Sequence, residues 1–282
     1  MIKLYFIYQM FDSFALLFKS KLDLKKKIKL FFIWSKINFK YFFLSPFINF
    51  TSENFLNIRV EFFNYESFRY LFEEVFIRNE YYFETKKRSP VIFDCGANIG
   101  ITTLYFKWLY PKSSIFSFEA DKTSFKKLKT NIKINDLKNV NIMNLAISNK
   151  NGYIKFYSNP NDPGSMISST SKERAIYTET TVKSIKISSF ITKKSIGEID
   201  LMKMDIEGSE FESIADLSKL NMLKLFNEII LEYHHNIAEK NNSLANFLKT
   251  FETNKFKYQV YSKPVPLYEK NKFQDILIYF YK

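Results

Sequence analysis

The sequence predicts an α/β fold: a doubly wound, seven-stranded, mostly parallel sheet with a mainly helical N-terminal extension. Three observations carry that expectation. From residue 90 onward, short apolar runs take turns with helical stretches, the βαβ rhythm of a parallel sheet. Only six glycines occur in 282 residues, and two of them, Gly96 and Gly100, fall where the first strand of that series turns into a helix. The single cysteine, Cys95, and the adjacent His234 and His235 leave no disulfide framework and no Cys- or His-cluster metal site.

The elements follow in order. Residues 1–50 read as helical, through Leu4–Phe18 and the lysine-interrupted Ile28–Leu44. Neither stretch has the roughly 20 apolar residues of a membrane span, and no secretory signal is evident, so a cytoplasmic chain is expected. Asn57–Phe63 alternates like a strand. Glu66–Arg78 is an amphipathic helix with Phe68, Leu71, Phe72, Val75 and Phe76 on one face. After Lys86–Pro90 come strands at Val91–Phe93, Ser114–Phe118, Val140–Asn144, Ile199–Met204, Glu228–Leu231, Lys257–Val260 and Ile276–Phe280. Helices fill Asn98–Tyr110, Asp121–Asn135, Glu210–Leu217 and Ser243–Phe251. The last two strands, joined through Tyr261–Gln274, suggest an antiparallel hairpin with one reversed strand at the sheet edge. An extra pair, Gly152–Tyr157 and Thr180–Ile187, interrupts the series. Three regions result: a basic, aromatic extension (1–55), a strand–helix lead-in (56–89) and the α/β domain (90–282).

Charge is uneven. The chain carries a net +13, and its first 50 residues hold nine lysines against Asp12 and Asp23, a net +7, with eleven Phe, three Tyr and Trp34. Such a segment suits the anionic inner face of a membrane. Helices packed on the main domain or on a partner subunit are the favoured expectation, because AT-rich codon bias inflates both lysines and aromatics, and the membrane surface stays as the alternative.

The chemistry concentrates where strands end. In Val91–Gly100 an apolar strand runs into Asp94-x-Gly96-x-Asn98-x-Gly100, at the carboxyl edge where an open α/β sheet binds its ligand. Gly96 allows a sharp turn and close approach, and Gly100 allows tight helix packing. Glu119 closes the second strand, where a carboxylate can accept hydrogen bonds from a ribose diol. Asp94 would repel a diphosphate and favour a cationic group such as a sulfonium, which makes a nicotinamide oxidoreductase a poor fit. Asp205 and Glu207 follow the fourth strand, and Gly208 admits a turn into a helix whose first turn carries Glu210. Glu210 reads as a helix-start residue. Glu232 and His234 share a face of the fifth strand; His235 faces away.

Asp94–Gly100, Phe118-Glu119, Asn144–Ser148, Lys203–Glu210 and Leu231–His234 together resemble the FkbM-type family of class I S-adenosylmethionine-dependent methyltransferases, over about residues 80–235. The resemblance implies a Rossmann-like methyltransferase sheet and S-adenosylmethionine as cofactor. Asp94, Gly96, Asn98 and Gly100 would then line its methionine part, Glu119 would hold the ribose, and Ala146 would lie near the adenine. The expected reaction is O-methylation of a sugar or surface-glycan precursor, with a lipid or other small metabolite, or a non-catalytic cofactor-binding scaffold, as alternatives. His234 or Asp205 would take the hydroxyl proton, while Glu207 and Glu232 anchor neighbouring hydroxyls. No metal is expected. Nucleic acid is not an expected partner, because an acidic mouth repels phosphate and much of the positive charge lies in residues 1–50. The insertion Lys150–Ser189, with Pro160, Pro163 and Gly164, would shape acceptor choice.

Overall fold

The computed structural model describes residues 2–158, 178–235, 243–262 and 274–282, with the backbone alone for residues 2–10. Pro160, Pro163 and Gly164 of the insertion, and most of the connection Tyr261–Gln274, lie outside the described residues.

Two helices open the chain, α1 (Ile2–Lys19) and α2 (Leu24–Phe39), the second capped by Asp23, whose carboxylate accepts the Lys26 N–H at 2.9 Å. A hairpin follows, β1 (Ser52–Phe55) paired with β2 (Ile58–Glu61). The boundary expected at residue 55 falls in its turn, and the single strand expected at Asn57–Phe63 is its second half. Next comes α3 (Tyr65–Phe72), capped by Asn64 and continued by a π-helical turn at Glu73–Ile77. Thus the helix expected over Glu66–Arg78 widens at its end, burying Val75, Phe76 and Ile77.

The sheet is built from β3 (Val91–Cys95), β4 (Ser114–Phe118), β5 (Val140–Met143), β9 (Ile199–Met204), β10 (Phe226–His235), β11 (Lys257–Ser262) and β12 (Gln274–Tyr281), in the order β11-β12-β10-β9-β3-β4-β5. Among the described residues it has seven strands. All run parallel except β12, which is antiparallel to both its neighbours. The reversed strand therefore stands one place in from the edge, not at the edge. The reason is length: β12 pairs with β10 over eight residues, Glu228–His235, and buries Ile276, Leu277, Ile278 and Phe280. The more exposed β11 is left outside.

Between β5 and β9 lies a second, three-stranded sheet of β6 (Ala146–Ile147), β7 (Gly152–Ser158) and β8 (Thr178–Ile185). β8 ends two residues short of the expected Ile187, where helix α6 (Ile187–Lys194) starts. The remaining helices are α4 (Ile101–Leu109), α5 (Lys122–Ile134), α7 (Glu210–Lys219) and α8 (Leu244–Thr253).

Strand alternation sends neighbouring side chains to opposite faces. Ile92 and Leu201 enter one core with α4, α3 and the N-terminal helices, through Leu104, Phe68, Trp34 and Leu30. Phe93 and Met202 enter the other with α6, α7 and α8, through Phe190, Leu217 and Phe251. The segment from Leu17 to Phe55 is thus a layer on one face of the sheet, sharing its core.

Candidate active site

The carboxyl ends of the central strands open into a cleft of about 240 Å³. Gly96 builds its floor. Its backbone is left-handed (φ +82°), and an added Cβ would stand 1.7 Å from the Asp205 carbonyl oxygen. The loops after β3 and β9 therefore touch backbone to backbone, which only glycine permits. Gly96 and Ala97 donate their N–H groups to the Phe118 carbonyl at 3.0 and 2.9 Å, and Lys203 Nζ donates to the Gly96 carbonyl at 2.7 Å.

Asn98, also left-handed (φ +47°), donates its N–H to Glu119 Oε2 at 2.7 Å, while Asp121 N–H reaches Glu119 Oε1 at 2.8 Å. Burial pushes the Glu119 carboxyl up to about 7 in spite of these two donors. Each of its oxygens keeps a further lone pair. The buried Oδ1 of Asn98 has no hydrogen-bond partner among the described residues. Ala146 lines the same end of the cleft.

Two residues expected in this lining are placed elsewhere. Asp94 lies in register between Ser117 of β4 and Lys203 of β9, and its carboxylate is fully buried beneath the floor. It accepts the Thr103 hydroxyl at 2.5 Å and stands 4.0 Å from Lys203 Nζ. Burial raises its pKa against the pull of Lys203. Gly100 faces away: a Cβ there would meet Leu128 Cδ1 at 2.6 Å, so it packs α4 against α5.

The other end of the cleft is acidic. Asp205, Glu207, Glu232 and His234 all line it. The His234 side chain is 2% exposed, with Nδ1 3.1 Å from Glu210 Oε1 and Nε2 3.2 Å from Glu207 Oε2 and 3.8 Å from Asp205 Oδ1. Glu207 reaches it from a left-handed backbone (φ +58°), uncommon for a residue with a Cβ. Burial disfavours the imidazolium, yet the Glu210 carboxylate, aided by Glu232 and Asp205, outweighs it and lifts the His234 pKa to about 9. Burial and then the charge of Asp205 push Glu232 far above the ordinary carboxylate range. Lys203 loses by burial but is held charged by Asp205 and Asp94.

Glu210 is more than the helix-start residue expected. It accepts the N–H groups of Ile206 (3.2 Å) and Gly208 (2.9 Å) and orients His234. Burial opposes its charge, but His234 first, then its own and the Gly208 backbone N–H, bring its pKa below the usual value. The contact comes from the sheet: β9 and β10 pair in parallel up to Met204 and Leu231, which brings the loop after one strand beside the end of the other. Glu74, Tyr70 and Tyr81 also line the cleft; the apolar stripe beside Tyr70 and Glu74 gave only a core signal, and Tyr81 gave none. Asp275 joins through the β10–β12 register, directly opposite His234. Donor atoms of Asp205, Glu207 and His234 lie within 4.8 Å of one another, a set that could hold a divalent cation, although none was expected.

Residues 94–260 match the model of the methyltransferase FkbM domain. Methyltransferase sdnD of Sordaria araneosa is 26% identical over 172 residues, covering 51% of this chain and 66% of the relative. The 2-O-methyltransferase NoeI of Sinorhizobium fredii is 27% identical over 143 residues, covering 46% and 58%. The chain thus spans just under two thirds of the length of the curated relatives it matches. Among solved structures, the FkbM methyltransferase of Methylobacillus flagellatus is 15% identical with a TM-score of 0.42, covering 76% of this chain and 53% of that one. TYW2 of M. jannaschii in complex with AdoMet is 15% identical with a TM-score of 0.40, covering 82% and 85%.

S-adenosylmethionine is the cofactor of such a domain, and the residues present fit it. The Gly96 turn, pressed on the Asp205 backbone, shows the cleft no side chain, Asn98 offers a buried unsatisfied oxygen, and Glu119 offers a buried carboxylate with spare lone pairs.

Proposed function

This chain belongs to the methyltransferase FkbM domain family, and from that premise we propose that it O-methylates a hydroxyl of a sugar or surface-glycan precursor. The observation that carries this reading is the imidazole of His234, held at Nδ1 by Glu210 with Nε2 turned to the cleft beside Glu207 and Asp205. When bound, S-adenosylmethionine supplies a methyl group on a sulfonium centre, open to in-line displacement. Glu119 would accept hydrogen bonds from the ribose hydroxyls, Asn98 and the Gly96 turn would hold the methionine part, and Ala146 would border the adenine.

On the acceptor side, His234 Nε2 takes the proton of the attacking hydroxyl. An alcohol is a weak nucleophile, and a base within hydrogen-bond reach removes the proton as the new C–O bond forms. Asp205 is the alternative base, at the same mouth. Glu207 and Glu232 anchor neighbouring hydroxyls; Glu74 and Asp275 add to the acidity. Carboxylates on every side suit a neutral polyol and repel phosphate, which argues against a nucleic-acid acceptor. The 2-O-methyltransferase activity in the name of NoeI supports an oxygen acceptor.

We place the reaction in the cytoplasm: a chain with a single cysteine needs no oxidising compartment to fold. No helix among the described residues is long and apolar enough to cross a membrane.

The test is mass spectrometry of host surface and secreted glycans with the gene intact and deleted. Loss of one methyl from a defined sugar residue is expected. An unchanged glycan profile, with cofactor binding confirmed on the purified protein, overturns the glycan assignment and moves the acceptor to lipids or small metabolites.

A further inference from the structure

Helices α1 and α2 have two faces. The inner face is committed to the fold: Leu17, Leu30, Trp34 and Ile37 are buried in the core that contains Ile92 and Leu201. Polar ties add to it. Ser13 Oγ donates to Glu73, Asp12 pairs with Arg78 at 3.2 Å, and Lys36 and Lys40 grip the buried Glu53 at 2.9 and 2.7 Å.

The outer face is apolar and exposed. On α1 it carries Phe11, Phe14 and Phe18. On α2 and the turn after it, Leu24, Ile28, Phe32, Phe39 and Phe43 recur at helical spacing along one stripe. Phe11, Phe32, Phe43 and Phe47 are 69%, 66%, 63% and 87% exposed, which is unusual for so many large rings in one region. Ring contacts join the two helices: Phe14 lies 4.6 Å from Phe18 and 5.4 Å from Phe31, which lies 5.7 Å from Phe32.

Lysines border this surface. Lys25 and Lys29 fall beside the α2 stripe, are exposed, and have no ion-pair partner among the described residues. The two acids of the first 50 residues are engaged, Asp12 with Arg78 and Asp23 with Lys26 and the α2 cap.

We propose that the outer face of α1 and α2 docks on an anionic lipid bilayer, lying in its interface. Exposed aromatic rings enter the headgroup–acyl boundary while lysines reach phosphate. A second copy of the chain is a poorer occupant, since the net +7 of each segment would face its like. This inference is independent of the methyl-transfer reading.

The test uses the full chain, because α1 and α2 complete the core. Sedimentation is measured with vesicles of phosphatidylcholine alone and of equal parts phosphatidylcholine and phosphatidylglycerol. Binding at least tenfold stronger to the anionic vesicles is expected, with at least a tenfold loss in Phe11→Ser/Phe32→Ser/Phe43→Ser and in Lys25→Glu/Lys29→Glu. In a second measurement, Phe47→Trp should shift its emission to the blue on anionic vesicles and be quenched by brominated lipid. Equal binding to neutral vesicles overturns the proposal, as does an unmoved emission. Concentration-dependent dimers that the Phe variant abolishes, without vesicle binding, would assign the face to a second copy.

Discussion

Glu210→Gln removes one charge from the pair that sets the chemistry of His234 and leaves a side chain of the same size. In the native site the imidazole titrates at about 9 against an ordinary 6.5, a preference for the charged form of about 3 kcal/mol. At pH 7 about one His234 in a hundred is then neutral and able to accept a proton. For a base that must be neutral, kcat/KM rises about tenfold per pH unit from neutrality and levels near 9, since this ratio reports the free enzyme. Glu210 is the foremost of the groups raising this pKa, and burial opposes it. Losing the carboxylate should therefore move the limb to lower pH by about two units. The plateau should fall as well, because Gln holds Nδ1 less firmly. The assay is initial-rate methyl transfer from pH 6 to 10 in both proteins, read as the limb position. A limb that stays in place, or a flat profile in the native enzyme, would refute His234 as base and leave Asp205. Stability follows the same linkage: a raised folded pKa stabilises below about 6.5, and that contribution is lost as pH rises through about 9.

Four further outcomes are expected. Glu119, at about 7, accepts ribose hydroxyls best when ionised, so cofactor affinity by calorimetry should weaken as pH falls from 8 to 6. Glu119→Gln should abolish that dependence and cost roughly tenfold, about 1.4 kcal/mol, and should lower the melting temperature, because a Gln amide can accept from only one of the Asn98 and Asp121 N–H groups. Gly96→Ala drives a Cβ into the Asp205 carbonyl from a left-handed backbone, at about 3 kcal/mol or more, and should lower the melting temperature by several degrees; a native melt would contradict the backbone contact. Asp205→Ala/His234→Ala should reduce turnover by about 10²-fold or more with cofactor affinity nearly unchanged. In the same assay, EDTA should leave the native rate intact; activity lost to chelation and restored by Mg²⁺ would give Asp205, Glu207 and His234 a metal-binding role instead.

Much of the fold was legible because it is local. Alternating strands and helices, the helix starts near Asp121 and Ser243, and the glycine turn after Val91–Cys95 depend on neighbours within a few residues. The strand ends bearing Glu119, Asp205 and His234 could be assigned to one sheet edge, because parallel strands share their polarity. What the sequence could not reveal depends on partners far along the chain. Asp94 looks like a cleft residue from its place in the motif, yet Ser117 and Lys203 flank it across two strands and its carboxylate goes under the floor. Glu210 looks like a helix-start acid until the β9–β10 pairing brings His234, 24 residues later, onto its carboxylate.

Sequence by itself determined the α/β class, the glycine turn with the Glu119 carboxylate at the same sheet edge, and the acidic mouth, since each follows from residue types at short spacing. Tertiary structure alone decided that β12 lies inside β11 and that the segment from Leu17 to Phe55 forms a layer of the core. It also decided that Tyr70, Glu74 and Tyr81 wall the cleft and which faces of α1 and α2 stay exposed. These are pairings between distant segments, chosen by burial and register over the whole sheet, and no local pattern encodes them.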